Sequence, residues 1–397
     1  MLICKIKEKL LKNNLFDVHQ IYLPNNSNKI VGEKMISSFL PSNYSADKAI
    51  ISSEPQHRSA YYKWCIKNNI SVFADKPLTV FKKDGCVYED YIFFEKMMKG
   101  SKINFIISCE RRSHKGYNYI SDYLKKIISK YKVPITHISI HHAGGNCITG
   151  NEILKRENHP FKHGYGILYH TGYHYIDLLA NLLILNKILL PDFMKKYELN
   201  ANSISSIEQN NIFSNINESS VSKFKKHINN SLNTSYGEYD LTSCGVFYSN
   251  GQPVTTISLT LLGNSLSLRK SSKDNYYKAL EGRLRQEKII IHLGNICSIH
   301  INSLPLKKIN NDKFENFDIT ILNHTSILNE KSIISLDRND LSIINKDLPL
   351  NQSMNRNSRV WQLKKFLENK KTNSEYETHK ESIKLLKKLN SALNKND

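Results

Sequence analysis

The chain has 397 residues, of which 40% are hydrophobic, and this is enough for two domains with substantial cores. It contains no uninterrupted apolar run of about 18 residues, and lysines break up the N-terminal stretch 1–14, so we expect a cytoplasmic protein with no membrane span. The formal net charge is +20, but the lysines are spread evenly and no nucleic-acid-binding pattern occurs, which argues against a nucleic-acid partner.

Seven cysteines are scattered along the chain and none forms a Cys-x-x-Cys pair. An odd, dispersed set argues against both a disulfide framework and a zinc ribbon. We therefore expect buried free thiols.

The first fifty residues predict a charged helix at 5–13 and a short strand at 18–23. A dinucleotide-binding fold opens with a strand and a glycine-rich turn, yet no Gly-x-Gly-x-x-Gly occurs in the chain and the first glycine is Gly32. We expect the N-terminus to be short by about one strand and its phosphate-binding turn. Residues 24–26 at the end of the predicted strand are Pro-Asn-Asn, which selects neither NAD nor NADP.

Residues 49–77 have the pattern of a strand, a helix and a second strand. The predicted parts are strand 49–52, turn 53–56, a helix ending at Asn69 and strand 72–74. In such a unit the carboxyl ends of the parallel strands open onto one ligand crevice. The polar residues at those ends should therefore share a cleft: Ser53, Glu54, His57, Asp75, Lys76 and Pro77.

Lys76 is the first candidate for chemistry. Pro77 restricts the backbone of Lys76 to an extended conformation and permits a cis peptide bond, so the lysine side chain is held in direction. A desolvated lysine has a lowered pKa and can exchange a proton with a reacting oxygen. The alternative is a solvated ion pair with Asp75, which would contribute little.

A helix at 88–99 and a strand at 103–108 complete the predicted first domain, residues 1–110; the second domain is then residues 111–397. Arg111, Arg112, His114 and Tyr117 lie where the chain leaves the first domain. They can hydrogen-bond a polyhydroxy or phosphorylated substrate, or they are solvated charge.

The sequence of the second domain predicts helices around an antiparallel sheet. The pattern gives a helix at 117–131, a strand at 136–142, a loop to His163, a helix at 167–186, strands at 243–248, 254–262, 265–269, 288–293, 297–301 and 317–322, and closing helices at 357–370 and 377–394. Residues 201–236 are rich in Ser and Asn and predict a surface insertion or a partly disordered loop.

His170, His174 and Asp177 are spaced i, i+4 and i+7 on the predicted helix 167–186, so a regular helix would place them on one face. One interpretation is proton transfer by imidazole. A second is a metal site on the two histidines, completed by Asp177 or by a histidine of 141, 142, 159 or 163. In a third, the histidines only satisfy the domain interface and Asp177 only orients the helix.

Two blocks of the sequence resemble the Gfo/Idh/MocA family of nicotinamide-dependent oxidoreductases. The first is Ser-Glu-Pro, His57 and Asp75-Lys76-Pro77, where the family usually has Thr-Pro, a histidine and Glu-Lys-Pro. The second is GYGILYHTGYHYIDLLANLL at 164–183, in which His174 matches the family histidine and His170 stands where many members have aspartate. The resemblance implies NAD or NADP as cofactor, hydride transfer at a sugar, nucleotide-sugar or cyclitol carbon, and homo-oligomers through the open face of the second sheet.

We therefore expect an α/β protein: a Rossmann-like parallel-sheet domain, shortened at its N-terminus, followed by an α+β domain with a mostly antiparallel open sheet. We assign a catalytic role to Lys76, His174 and His170. We assign cofactor binding to Ser53, Glu54, His57, Asp75, Lys76 and Pro77. We assign substrate binding to Arg111, Tyr117, Tyr173 and Asp177, and we assign no metal. The alternative is an inactive sugar-binding or regulatory protein of the same fold.

Overall fold

The computed structural model describes residues 46–80, 87–144, 164–205, 237–265, 285–303, 317–344 and 354–393, with positions 36, 38, 207 and 208. Within these residues the chain forms a parallel sheet and a larger mixed sheet, with helices around both. The predicted fold class is confirmed. The predicted elements at 5–13 and 18–23 lie outside the described residues.

The first sheet contains β1 (Lys48–Ile51), β2 (Ser71–Asp75) and β3 (Phe105–Ser108), all parallel and in that order among the described strands. All four residues of β3 are buried, as expected for a parallel strand that is covered on both faces. Helix α1 (Arg58–Lys67) connects β1 to β2, and α2 (Val87–Met98) precedes β3. The predicted strand–helix–strand unit is therefore correct.

The second sheet has eight strands among the described residues, in the order β11-β10-β9-β8-β4-β7-β6-β5. The strands are β4 (His137–Ala143), β5 (Lys196–Ser205), β6 (Glu238–Ser249), β7 (Gln252–Leu262), β8 (Gln286–Leu293), β9 (Cys297–Ser303), β10 (Phe317–Asn323) and β11 (Ile333–Leu336). Only the pair β4 and β7 is parallel among these neighbours, so the predicted mostly antiparallel sheet is correct.

Five further helices follow within the described ranges of the chain. They are α3 (Lys115–Tyr131), α4 (Tyr173–Ile184), α5 (Arg338–Ile344), α6 (Met354–Leu367) and α7 (Lys380–Leu393). Alternate residues of the central strands, such as Ile138 and Ile140 of β4, are fully buried and join a core that extends to the first sheet. Period-two burial of this kind is what a sheet with one covered face requires.

The predicted insertion at 201–236 begins too early, because residues 201–205 are the end of β5 and pair with β6. This strand is at the sheet edge and buries few side chains, among them Leu199 and Ala201, so its sequence lacks the apolar residues that indicate a strand. Residues 209–236 lie outside the described residues. A strand was also predicted at 265–269; of this range only Ser265 is described, and it follows the end of β7.

The C-terminal segment packs back against the first sheet. Phe366 of α6 contacts Phe73 and Ile106, and the backbone N–H of Ile107 donates to the carbonyl of Ser374 at 3.1 Å. Residues late in the second predicted domain therefore stabilise the first, and the division at residue 110 stays a prediction.

No helix of the described part of the chain is long and apolar enough to cross a membrane.

The buried histidine His114 makes the stability of the fold depend on pH. Its ring lies 4.7 Å from each of the rings of Tyr117 and Phe317, measured between centroids, and no described residue hydrogen-bonds its buried Nδ1. Burial lowers the pKa of His114 to about 3; the Glu287 carboxylate opposes this shift and the Arg111 and Arg338 charges add to it. The unfolded chain therefore binds more protons than the folded chain between about pH 6.5 and pH 3, and stability falls as the pH decreases through that window.

His114→Phe removes this titrating group. The free energy of unfolding of the variant minus that of the wild type should therefore be about 2 kcal/mol larger at pH 5 than at pH 7. Urea unfolding followed by circular dichroism at both pH values measures this. His324→Gln, at an exposed position, is the control for the loss of a histidine that is not buried. An equal pH dependence in His114→Phe and the wild type would contradict the assignment.

Candidate functional site

A cavity of about 280 Å³ lies between the carboxyl ends of β1 and β2 and the start of the segment that leads into α4. Eight of the residues assigned from the sequence line it: Ser53, Glu54, Asp75, Lys76, Pro77, Arg111, His170 and His174. His142, which the sequence suggested only as a metal ligand, also lines it; further lining residues that the sequence did not suggest are Arg58, Glu110, Tyr165, Tyr169, Arg285 and Arg359.

Arg58 organises the side of this cavity that lies at the carboxyl ends of β1 and β2. Its buried guanidinium donates to the carbonyl oxygens of Ser53 at 2.8 Å, Asp75 at 2.5 Å and Pro77 at 2.5 Å. The carboxyl ends of β1 and β2 are thus joined by one planar group with several fixed donors. In the sequence Arg58 is one of many polar residues on a helix, so its role was missed.

Lys76 lies at the end of β2, and its Nζ donates to the backbone carbonyl of His170. The Lys76–Pro77 peptide bond is cis. Desolvation in the cavity lowers the pKa of Lys76, and the carboxylates of Asp75 and Glu110 partly oppose this shift. The hydrogen bond to the His170 carbonyl therefore fixes the direction of the lysine side chain. Because its pKa is lowered, the ammonium gives up a proton more readily than that of a surface lysine.

The segment that carries His170 is a π-helix at Leu168–Gly172, which continues into α4. Gly164 and Gly166 precede it with φ values of +73° and +57°, a conformation that favours glycine. The helix predicted at 167–186 is therefore irregular at its start. Such π-segments are frequent at functional sites.

His174 faces two polar neighbours from the end of β3. Its Nδ1 lies 3.4 Å from Cys109 Sγ and its Nε2 lies 3.8 Å from Glu110 Oε1. Burial lowers the pKa of His174 well below its usual value, and the nearby charges of Lys76 and Arg111 act in the same direction. The imidazole is therefore neutral near pH 7 and is a hydrogen-bonding group, not a fixed cation.

A buried network lies behind the cavity wall. Arg111 donates to Glu287 and, at 2.6 Å, to the hydroxyl of Tyr175, while Tyr117 donates to Glu287 at 2.8 Å. Burial alone would raise the pKa of Glu287, but the Arg111 charge outweighs it and lowers that pKa to about 2. His142 Nδ1 lies 2.6 Å from the Tyr175 hydroxyl. The Arg111 guanidinium is thus engaged by protein groups, and Tyr117 does not line the cavity.

Three further assignments are corrected by the structure. Asp177 is fully buried and binds Arg112 through two hydrogen bonds of 2.7 and 2.8 Å, on the side of α4 that the C-terminal segment covers. Tyr173 is also fully buried, with its hydroxyl 2.9 Å from His379 Nδ1. His57 is outside the cavity lining, and its Nε2 lies 3.2 Å from Gln56 Nε2. These residues were assigned to the site from their positions in the sequence, but packing between distant segments determines which partner each side chain contacts.

Glu110 is the missed residue that the sequence could have indicated. It follows β3 in the same way that Lys76 follows β2, and the carboxyl ends of parallel strands meet at one edge. Arg285 and Arg359 had no such signal, because they come from the start of β8 and from α6, far along the chain.

No group of three or more His, Cys, Asp and Glu side chains in the described residues is placed to hold a metal ion. His159 and His163, considered as metal ligands, lie outside the described residues.

The side of the cavity at the carboxyl ends of β1 and β2 offers polar groups to the nicotinamide end of a dinucleotide. The Ser53 hydroxyl oxygen is buried and no described residue hydrogen-bonds it, and Glu54 and Pro55 line the cavity at the same strand end. This is where a parallel α/β sheet binds its ligand, so the residues present fit the group.

No protein-family model matches the sequence, and no curated protein matches it. Solved structures do match in three dimensions. An oxidoreductase from Agrobacterium radiobacter, in complex with NAD+, L-tartaric acid and magnesium, superposes with a TM-score of 0.52 at 10% sequence identity, over 90% of this chain and 80% of that one. An oxidoreductase from Sinorhizobium meliloti gives a TM-score of 0.51 at 9% identity, over 92% and 81% of the two chains. The chain therefore has the fold of these oxidoreductases, as the resemblance in its sequence predicted.

Proposed function

We propose that this protein is an NAD(P)-dependent oxidoreductase that transfers a hydride to or from a CH–OH carbon of a sugar, nucleotide sugar or cyclitol. The observation that carries the proposal is the pairing of Lys76, with its lowered pKa, and the neutral His174 on one cavity at the carboxyl ends of a parallel sheet. Perturbed titratable groups in such a crevice favour catalysis over a structural role. The fold shared with an oxidoreductase solved with NAD+ supports the same reaction class.

The chain's own residues divide the work between binding and proton transfer. Ser53, Glu54 and Pro77 would hold the nicotinamide end of the cofactor, which when bound accepts or supplies the hydride. Lys76 takes the proton of the reacting hydroxyl in oxidation and returns it in reduction. His174 is neutral and lines the same cavity, so its imidazole can form a hydrogen bond that orients the reacting oxygen beside Lys76. His170 contributes its carbonyl to Lys76 and lines the cavity beside it.

The alternative is a protein of the same fold that binds a sugar and has no cofactor. The absence of a Gly-x-Gly-x-x-Gly in the sequence favours it, because glycines let the backbone approach the pyrophosphate. The homo-oligomer expected through the open face of the second sheet also stays a proposal. The outward residues of β4, Ser139 and His141, are only partly buried, which is compatible with a partner on this face.

Titration with NADH and NADPH, followed by nucleotide fluorescence, tests the cofactor. We expect one of them to bind, and Ser53→Tyr, which fills the cofactor side of the cavity, to weaken binding at least about ten-fold, the equivalent of one lost hydrogen bond to a charged group. Ser391→Tyr, at an exposed position of α7, is the matched control and should bind like the wild type. No binding of either nucleotide at millimolar concentration would exclude the dehydrogenase and leave the sugar-binding alternative.

A further inference from the structure

One wall of the cavity is formed by residues 110–111 after β3, by Arg285 just before β8 and by α6, and it carries more arginine than carboxylate. Arg111, Arg285 and Arg359 line this wall, and the only carboxylate on it among the described lining residues is Glu110. Glu287 lies just behind the wall. A cavity that binds only neutral hydroxyl groups has no need of this surplus of positive charge.

Both carboxylates are already engaged. Glu287 accepts hydrogen bonds from Arg111, Tyr117 and Tyr175, which satisfies it inside the protein. Glu110 pairs with Arg359 and lies 3.5 Å from Arg111. Neither carboxylate has the capacity to neutralise a third arginine.

Arg285 is that third arginine. It stands immediately before β8, its side chain is exposed, and no described carboxylate pairs with it. It lines the cavity and its charge acts on both His142 and His174. A cation that lines a ligand cavity and pairs with no carboxylate of the described residues is placed to meet an anion in the ligand.

Arg359 is available to the same ligand. Its side chain is 51% exposed, and the contact with Glu110 uses only one of its two terminal nitrogens, Nη2. A guanidinium has five N–H donors in a rigid fork, so donors remain for a second acceptor. Two arginine forks on one cavity suit the oxygens of a carboxylate or phosphate.

We propose that the substrate is an anionic polyhydroxy compound, and that Arg285 and Arg359 bind its carboxylate or phosphate group while Lys76 and His174 face its reacting hydroxyl. The assignment of a reacting hydroxyl rests on the proposed function; the anion site does not.

Isothermal titration at constant ionic strength tests the anion site with three probes: gluconate for a carboxylate, inorganic phosphate for a phosphoryl group, and glucitol as the neutral counterpart of gluconate. We expect the wild type to bind at least one anionic probe about ten-fold or more tighter than glucitol, as a charge-assisted hydrogen bond requires. The ratio of anionic to neutral affinity should fall by about the same factor in Arg285→Gln and in Arg359→Gln. Arg356→Gln, on the same exposed side of α6 but not in the cavity lining, is the matched control and should keep the wild-type ratio.

The absence of any preference for an anion in the wild type, whether all probes bind equally or none binds, would overturn the proposal. So would a preference that Arg356→Gln loses as much as Arg285→Gln does. The nucleotide titration on the same preparations separates this inference from the proposed function. NADH binding without an anion preference removes only the anionic substrate, and an anion preference without nucleotide binding removes only the dehydrogenase.

Discussion

Replacing Lys76 with methionine is expected to lower turnover by about 10²–10⁴-fold, the usual contribution of a positioned general acid or base. Methionine keeps much of the side-chain volume and removes the amine that contacts the His170 carbonyl. Nucleotide binding and the fold should persist, because the backbone of this corner is held by Arg58. Turnover is measured as NAD(P)+ reduction at 340 nm, with the sugar, sugar acid or cyclitol that the wild type oxidises fastest in a panel.

The pH profile separates catalysis from a structural effect. Oxidation needs the neutral amine, so the wild-type kcat/KM should rise with pH through the lowered pKa of Lys76. Lys76→Met should lose this limb. Lys102→Met, at an exposed position before β3, is the matched control and should retain both the rate and the profile. Unchanged turnover in Lys76→Met would remove Lys76 from its proposed role.

The second large effect is on stability. Arg112→Met is expected to lower the free energy of unfolding by about 3–5 kcal/mol, because it leaves the Asp177 carboxylate buried without its cation. Asp177 is fully buried and also accepts a hydrogen bond of 2.7 Å from Ser382. Arg112 in turn donates to the carbonyls of Asn373 and Thr378, so the pair joins α4 to the C-terminal segment. Urea unfolding at pH 7 measures the loss.

Two comparisons make this prediction specific. The double variant Arg112→Met/Asp177→Leu removes both charges and should recover much of the loss. Glu89→Gln breaks the exposed pair with Lys387 and should cost less than about 1 kcal/mol. A cost for Arg112→Met as small as that of Glu89→Gln would contradict the role given to the buried pair.

The pair also has a defined pH dependence. The Arg112 charge outweighs burial and holds the pKa of Asp177 well below its usual value. Because the folded pKa is lowered, the stabilisation is present above the unfolded pKa of about 3.9 and is lost as the pH falls below it. The difference in the free energy of unfolding between the wild type and Arg112→Met should therefore become smaller in strong acid.

The sequence by itself determined the strand–helix–strand unit and the position of Lys76 within it. Short runs of apolar and β-branched residues define these strands locally, and ligands bind at the carboxyl ends of parallel strands. The pattern alone therefore predicts that Ser53, Glu54 and Lys76 share one cavity. The same rule applied to β3 would have added Glu110. His170 and His174 were found because a short spacing on a helix is local information.

The tertiary structure alone decided which charges meet. Asp177 has the spacing of a site residue but binds Arg112, because residues 373–382 return to cover that side of α4. Arg285 and Arg359 reach the cavity from strands and helices far along the chain. Sequence periodicity predicts which face of a helix or strand is buried. The partner of a buried or cavity-facing charge depends instead on packing between distant segments, which no local sequence pattern encodes.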